Sequence, residues 1–350
     1  MIGKLRPETL GWAVIAVLVA VHSITLVLLL LFRGLPQPTF HNTWPIVVGF
    51  SGYFVLGVAG FGLYRLFRGE RARWLATVRR PSWWGESVLL ILAASLISLG
   101  YTTLKIAVPL LNSRRYDALL WEIDRWSLLG MSPNILAVEL IPFPAFFTLI
   151  DVTYGPAFGV TLLISFSIIL GHESSRLRIG WVLGSAVLWL GGAWLYLALP
   201  SLGPVYVFHE VWDDVRHLLP NAMKTQTRLI ENYLRIVGLK AVEPGRGVSL
   251  FLGVAAFPSL HLGFHSFVAC WLGRILPRAR VAGWLMVALM FVGSIVTGWH
   301  YMIDSIAGIL MGWIAYRIAL SIVPLDEESA PNEEGMMRGT PAPASHRPSE

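Results

Sequence analysis

The chain has 350 residues, of which 55% are hydrophobic and only 14% charged, with a mean hydropathy of +0.63. A soluble domain carries roughly 25% charged residues, so this composition excludes an ordinary soluble globule, and so much apolar content excludes disorder over most of the length. The net charge of +6 reads as basic loops flanking membrane helices rather than as a nucleic-acid surface, and the one cysteine, Cys270, excludes a disulfide scaffold and a multi-cysteine metal site.

A membrane-spanning helix needs about 20 mainly apolar residues. Eight windows qualify: Leu10–Phe32, Trp44–Leu66, Ser87–Leu110, Ala145–Leu170, Ile179–Leu199, Leu250–Leu272, Val281–Gly298 and Tyr301–Val323. The first follows Lys4 and Arg6, as a signal peptide would. Its apolar core is too long and no small-residue cleavage site follows, so it reads as a retained helix. The expected fold is all-α, a polytopic membrane helical bundle of about eight transmembrane helices.

Short basic loops set the orientation. The loop after the second window carries Arg65, Arg68, Arg71, Arg73, Arg79 and Arg80 against Glu70 alone, so it is expected on the cytoplasmic side. The loops with Arg176 and Arg178, and with Arg274, Arg278 and Arg280, then fall on that side too, as do both termini. The opposite face receives Asn112–Pro144, Pro200–Ser249 and the turn at Trp299. From Val211 to Val237 apolar residues recur at helical spacing, which predicts an amphipathic helix lying on the membrane or capping the bundle. The tail from Asp326 to Glu350 is rich in Pro, Ser, Glu and Gly and is expected to be disordered. Trp83, Trp84, Trp121, Trp126, Trp212 and Trp299 fall near window boundaries, as interface belts do.

Ionisable residues at membrane depth are costly, which makes each a candidate functional residue. The sixth window contains Phe257-Pro258-Ser259-Leu260-His261-Leu262-Gly263, and the eighth opens on Gly298-Trp299-His300-Tyr301-Met302-Ile303-Asp304. The sixth and seventh windows form a hairpin between them, so both segments reach the same, extracytoplasmic face. His300 and Asp304 share a helix face at a spacing of four, and a carboxylate beside an imidazole sets its tautomer. Gly308 and Gly312 continue that stripe and permit a close neighbouring helix, which brings His261 opposite His300. Two histidines and a carboxylate in a cleft suit phosphoryl transfer, one histidine attacking phosphorus and the other protonating the leaving oxygen. Pro258 fits a first helical turn, whose free N–H groups, with the Ser259 hydroxyl, can hold phosphate oxygens. His265, four residues after His261, reads as a hydrogen-bonding residue of the bundle; His22 and His172 read as packing or interface residues. Asp117, Glu122, Asp124 and Arg125 form either a solvated helix with local ion pairs or a head-group contact near the cleft. Asp151 and Tyr154, one turn apart, either bond to each other or line the cleft.

Pro258-Ser259-Leu260-His261 with His300-x-x-x-Asp304 resembles the membrane-bound PAP2 phosphatase/phosphotransferase superfamily. The Phe-Pro-Ser-Leu-His form, together with Tyr116-Asp117-Ala118-Leu119-Leu120, Ile123-Asp124 and Leu129-Gly130-Met131-Ser132-Pro133, is similar to the branch containing inositol phosphorylceramide synthases. The resemblance covers roughly residues 100–320. It implies a six-helix core preceded by two added helices: residues 1–85 holding those helices and a basic loop, 86–324 the catalytic core, and 325–350 the tail. It also implies that His300 is the nucleophile that forms a phosphohistidine, that Asp304 orients it, and that His261 serves as general acid and then base. No metal and no organic cofactor is implied.

Two motifs of the family are altered. Gly293 and Ser294 stand where phosphatase members carry Ser-Arg, and the Lys-x6-Arg-Pro motif is broken: Lys105 is followed seven residues on by Asn112, and Arg114-Arg115 has no proline after it. A doubly charged phosphate still needs cations, which Lys105 first, then Arg114, Arg115 or the Pro200–Ser249 loop would supply. The expected function is phosphotransfer on a lipid phosphate or phosphodiester at the extracytoplasmic face of the membrane. A lipid-phosphate or polyprenyl-diphosphate phosphatase is the alternative. A transporter or lipid-binding protein using the polar cluster as a relay is the rival from another class; the paired broken helices that mark such transporters are not visible.

Overall fold

A computed structural model describes residues 5–35, 40–240 and 247–325. The tail expected to be disordered, and Lys4, lie outside the described residues. The helices are α1 (Pro7–Phe32), α2 (Phe40–Phe67), α3 (Arg71–Val78), α4 (Pro81–Leu111), α5 (Asp117–Ser127), α6 (Pro133–Leu140), α7 (Pro144–Gly171), α8 (Ser175–Ala198), α9 (Pro204–Val207), α10 (Pro220–Leu239), α11 (Leu260–Ile275), α12 (Arg280–Val296) and α13 (Met302–Ile322). Prolines open α1, α4, α6, α7, α9 and α10, where the fixed φ suits a first turn and no N–H bond is lost.

The protein is a multi-pass, all-helical membrane bundle. Among the described residues, seven helices (α1, α2, α4, α7, α8, the stretch Pro277–Val296 and α13) are long and apolar enough to cross a membrane. The predicted sixth window differs. Its helix, α11, has only 16 residues and begins at Leu260, while the preceding residues run without helix. Proline restricts the residue before it, and the Ser259 side chain caps the helix by accepting the Leu262 N–H at 3.3 Å. Apolar content alone cannot separate such a buried run-in from a helix.

Helix α8 lies at the centre, packed by α1, α4, α11 and α13, while α2 lies against α7 and α4. Helix α1 buries one stripe (Gly11, Ile15, His22, Leu26, Leu30) and leaves Val17, Val21, Ile24 and Leu28 exposed, the arrangement of a helix whose other faces meet lipid. His22 packs edge-on against Trp194 at 5.5 Å. Helices α11 and α13 approach closely: a Cβ at Gly308 would sit 2.1 Å from the Ser259 carbonyl oxygen, and one at Gly312 would sit 2.1 Å from the Gly263 carbonyl oxygen.

The expected amphipathic helix over 211–237 is corrected to Pro220–Leu239, since short 3-10 turns occupy 209–212 and 216–218. It caps the bundle: Gln226 donates to the Thr297 carbonyl (2.8 Å) and Asn232 to those of Ser249 and Leu252 (3.0 and 2.9 Å). Trp83, Trp121 and Trp212 are buried rather than belted; the Trp212 indole donates to the Val296 carbonyl at 2.7 Å. The basic loops are paired rather than free: Glu173 meets Arg65 and Arg73 at 2.7 and 2.6 Å, and Arg176 meets Glu8 at 2.6 Å. Arg178 is buried between Glu86, Ser87 and the Trp83 ring.

Candidate active site

His300 sits in the turn between α12 and α13. Gly298 has φ +74° there, a conformation that suits glycine, and the Trp299 and His300 N–H groups fold back onto the Ser294 carbonyl at 3.0 and 3.3 Å. The His300 ring is buried, with Nδ1 3.0 Å from the Ala256 carbonyl oxygen and 3.5 Å from Asp304 Oδ2. A carbonyl only accepts, so this bond places the proton on Nδ1 and leaves the Nε2 lone pair free. Nε2 lies 3.5 Å from Nδ1 of His261. Burial lowers the His300 pKa to about 3, which keeps the imidazole neutral, hence nucleophilic, at physiological pH.

Asp304 is shared between two tasks. Its Oδ2 accepts the Tyr301 N–H at 3.0 Å and closes a capping box at the start of α13. The Ala256 carbonyl is therefore the nearer tautomer-setting partner of His300, one that motif spacing gives no means to find. Ser259 lies against α13, its N–H donating to the Asp304 carbonyl at 2.9 Å and its Oγ committed to the α11 cap; it is fully buried and does not line the cavity. His265 places Nδ1 2.7 Å from the His261 carbonyl, within its own helix.

His261 and His300 line a cavity of about 470 Å³, and among the described residues Lys105 is the only lysine or arginine lining it. The Lys105 ammonium lies over the Tyr101 and Tyr196 rings, 5.7 and 5.4 Å from their centroids. Arg114 and Arg115 stand outside the cavity; the Arg115 guanidinium donates to the Tyr233 hydroxyl at 2.8 Å. At the altered motif, Ser294 is fully buried with Oγ 3.1 Å from Ser305 Oγ, and the Tyr154 ring packs where a Gly293 Cβ would be. No space is left there for an arginine.

Two acidic residues hold the site from outside. Asp117 Oδ1 accepts the Leu202 and Gly203 N–H groups and the Tyr301 hydroxyl at 2.9, 3.0 and 3.0 Å. Asp124 accepts the Met302 and Ile303 N–H groups at 2.6 and 2.9 Å, and burial pushes its carboxyl up to about 6. They are neither solvated nor aimed into the cavity: they clamp the turn that carries His300. Their spacing of seven, two helical turns on one face, was the signal available in the sequence. Glu122 and Arg125 do form an exposed pair at 2.9 Å. Asp151 neither bonds Tyr154 nor lines the cavity; it caps α10 by accepting the Asn221 and Ala222 N–H groups at 3.0 and 2.7 Å. Among the described residues no group of His, Cys, Asp and Glu is placed to hold a metal ion.

Neither a curated protein nor a solved structure matches the chain. A family model of the PAP2 superfamily matches residues 118–318. That stretch is more than half of the chain and takes in His261, His300, Asp304 and the helices that bring them together, so the protein belongs to the PAP2 superfamily.

Proposed function

We propose that the protein is a membrane lipid phosphotransferase acting through a phosphohistidine at His300, of the inositol phosphorylceramide synthase-like kind. The observation that carries this reading is the 3.5 Å approach of His261 Nδ1 to His300 Nε2 in a largely apolar cavity that Lys105 also lines. His300 Nε2 attacks phosphorus and the bond to the leaving oxygen breaks. His261 gives that oxygen a proton. An acceptor hydroxyl then loses its proton to His261, attacks the phosphohistidine and breaks the P–N bond, which restores His300. Asp304 and the Ala256 carbonyl steady the imidazole as charge develops on it. Lys105 draws the phosphoryl oxygens toward Nε2; Arg114, Arg115 and Ser259, which the sequence also offers for the phosphate, do not line the cavity. An apolar cavity disfavours water as the acceptor, which favours transfer over hydrolysis.

Wild type and His300→Ala, given phosphate- and phosphodiester-bearing lipids with and without hydroxyl acceptors, decide the reaction. His300-dependent movement of phosphorus onto a second lipid or polyol is the expected result. His300-dependent release of phosphate to water means a phosphatase, and no His300-dependent turnover overturns the enzyme reading in favour of a transporter or lipid-binding protein. Lys105→Met is expected to lower kcat/KM by about 10²–10³, with partial recovery in Lys105→Arg; an unchanged value would remove Lys105 from the phosphate site.

We read residues 86–324 as the catalytic core, with the site on the extracytoplasmic face and both termini cytoplasmic. In a Cys270→Ser background, an impermeant thiol reagent is expected to label Trp126→Cys but not Arg71→Cys in intact cells. The reverse pattern sinks this orientation.

A further inference from the structure

The cavity is a slot, and nearly half of the residues that line it lie on helices before the matched family region. On α4 its lining residues fall on one stripe, from Ala94 through Ile97, Ser98, Tyr101 and Thr102 to Lys105, which spans about 16 Å at the helical rise. Lys105 and the two histidines occupy one end. From there down, mainly aromatic and aliphatic side chains of α7 and α8, with Ser185, line the slot, and no other Lys, Arg, Asp or Glu among the described residues does. Another wall is α2: Pro45, Ile46, Gly49, Phe50 and Tyr53, again a single helical stripe.

Close backbone contact fixes how α2 faces the slot. A Cβ at Gly57 would sit 2.0 Å from the Ser167 carbonyl oxygen, and one at Gly171 would sit 2.5 Å from the Gly57 carbonyl carbon. The cytoplasmic half of α2 is thereby seated on α7, which sets the rotation of the half that carries Pro45–Tyr53. Gly49 faces open space, with nothing within 4 Å of a built Cβ. Gly49 lines the slot, so a large side chain has room there to narrow it.

We propose that this slot holds one hydrocarbon chain of the phosphorylated substrate, and that Gly49 on α2 and Ser98 on α4 determine the chain length accepted. The proposal rests on the reading of His300 as the group that takes the phosphoryl, because that places the phosphate at the Lys105 end and directs the chain down the slot. A largely apolar slot with Lys105 and the two histidines together fits an amphiphile with a phosphate at its terminus. A soluble phosphate ester would leave the rest unfilled.

The test measures kcat/KM for hexyl, decyl, tetradecyl and octadecyl phosphate, and in parallel the binding of the matching alkylphosphonates by calorimetry. Wild type is expected to gain with each added segment until the slot is full. Gly49→Trp and Ser98→Phe, two independent ways of shortening the slot, are each expected to lower the long-to-short ratio by about tenfold or more. Gly60→Trp is the control, since Gly60 is exposed, has open space at its Cβ and does not line the slot. His300-dependent turnover whose chain-length ratio is the same in both variants overturns the slot and leaves the phosphoryl-transfer reading standing. Absence of turnover overturns the latter, and the phosphonates then decide the slot alone: binding that weakens with chain length only in the two variants supports it, and binding indifferent to them overturns it.

Discussion

His300→Ala is expected to abolish turnover on every substrate, whereas the loss in His261→Ala should depend on the leaving group. An alkyl alcohol departs as an alkoxide unless it is protonated, so with an alkyl phosphate the His261→Ala variant loses the general acid and about 10²–10⁴ in rate. Nitrophenolate needs no proton. With nitrophenyl phosphate the same variant should complete the first half-reaction and then stall, because the acceptor has lost its base. The result is a burst of nitrophenol stoichiometric with enzyme, and an acid-labile phosphoryl adduct on the protein. His300→Ala gives neither burst nor adduct. Rapid-quench kinetics check this; turnover surviving in His300→Ala, or loss of the burst in His261→Ala, would exchange or remove the assigned roles. The 3.0 Å bond from His300 Nδ1 to the Ala256 carbonyl is the reason for assigning attack to His300 Nε2.

The second large effect concerns the seam on which that geometry depends. In Gly308→Ala the added methyl would fall 2.1 Å from the Ser259 carbonyl oxygen, which is backbone and cannot rotate away. Helices α11 and α13 must separate, at a cost of ~1–3 kcal/mol or more. Ser259 is two residues from His261, so the same displacement widens the 3.5 Å approach of the two histidines, and activity is expected to fall along with thermal stability in detergent. Gly312→Ala meets the Gly263 carbonyl and Ser266 Oγ, both 2.1 Å away, on the same seam. The double variant should therefore cost less than the sum of the singles, because the helices separate once. Gly159→Ala, with nothing within 4 Å of its Cβ, is the control and is expected to be neutral or slightly stabilising. Equal Tm values for Gly308→Ala and Gly159→Ala would refute the seam.

Much of this was legible from residue order. Long apolar runs marked seven of the spans because a bilayer admits little else of that length. The glycines at 308 and 312 were legible because helical period puts residues four apart on one face, whereas His300 precedes α13 and approaches Asp304 from the turn rather than from a shared helix face. Where the reading failed, local signals conflicted with apolar content. Leu250–Ser259 is apolar like a span, yet it runs without helix up to the Ser259 cap. Trp212 was assigned to an interface, yet it is buried with its indole bonded to Val296. The Asp117 and Asp124 clamps were invisible as such, since their partners lie 85 and 178 residues away.

The sequence by itself determined the membrane class and the all-helical fold, which depend on composition, and singled out His261, His300 and Asp304 by their local motifs. Tertiary structure alone decided the rest. It placed Lys105 beside the histidines while leaving Arg114 and Arg115 outside, and it handed the tautomer of His300 to the Ala256 carbonyl. It also made α2, far from the chemistry in the chain, a wall of the cavity. These depend on which helix faces which, and that is set by backbone-to-backbone approach at Gly57, Gly171, Gly308 and Gly312, where the absence of a side chain decides what can come close.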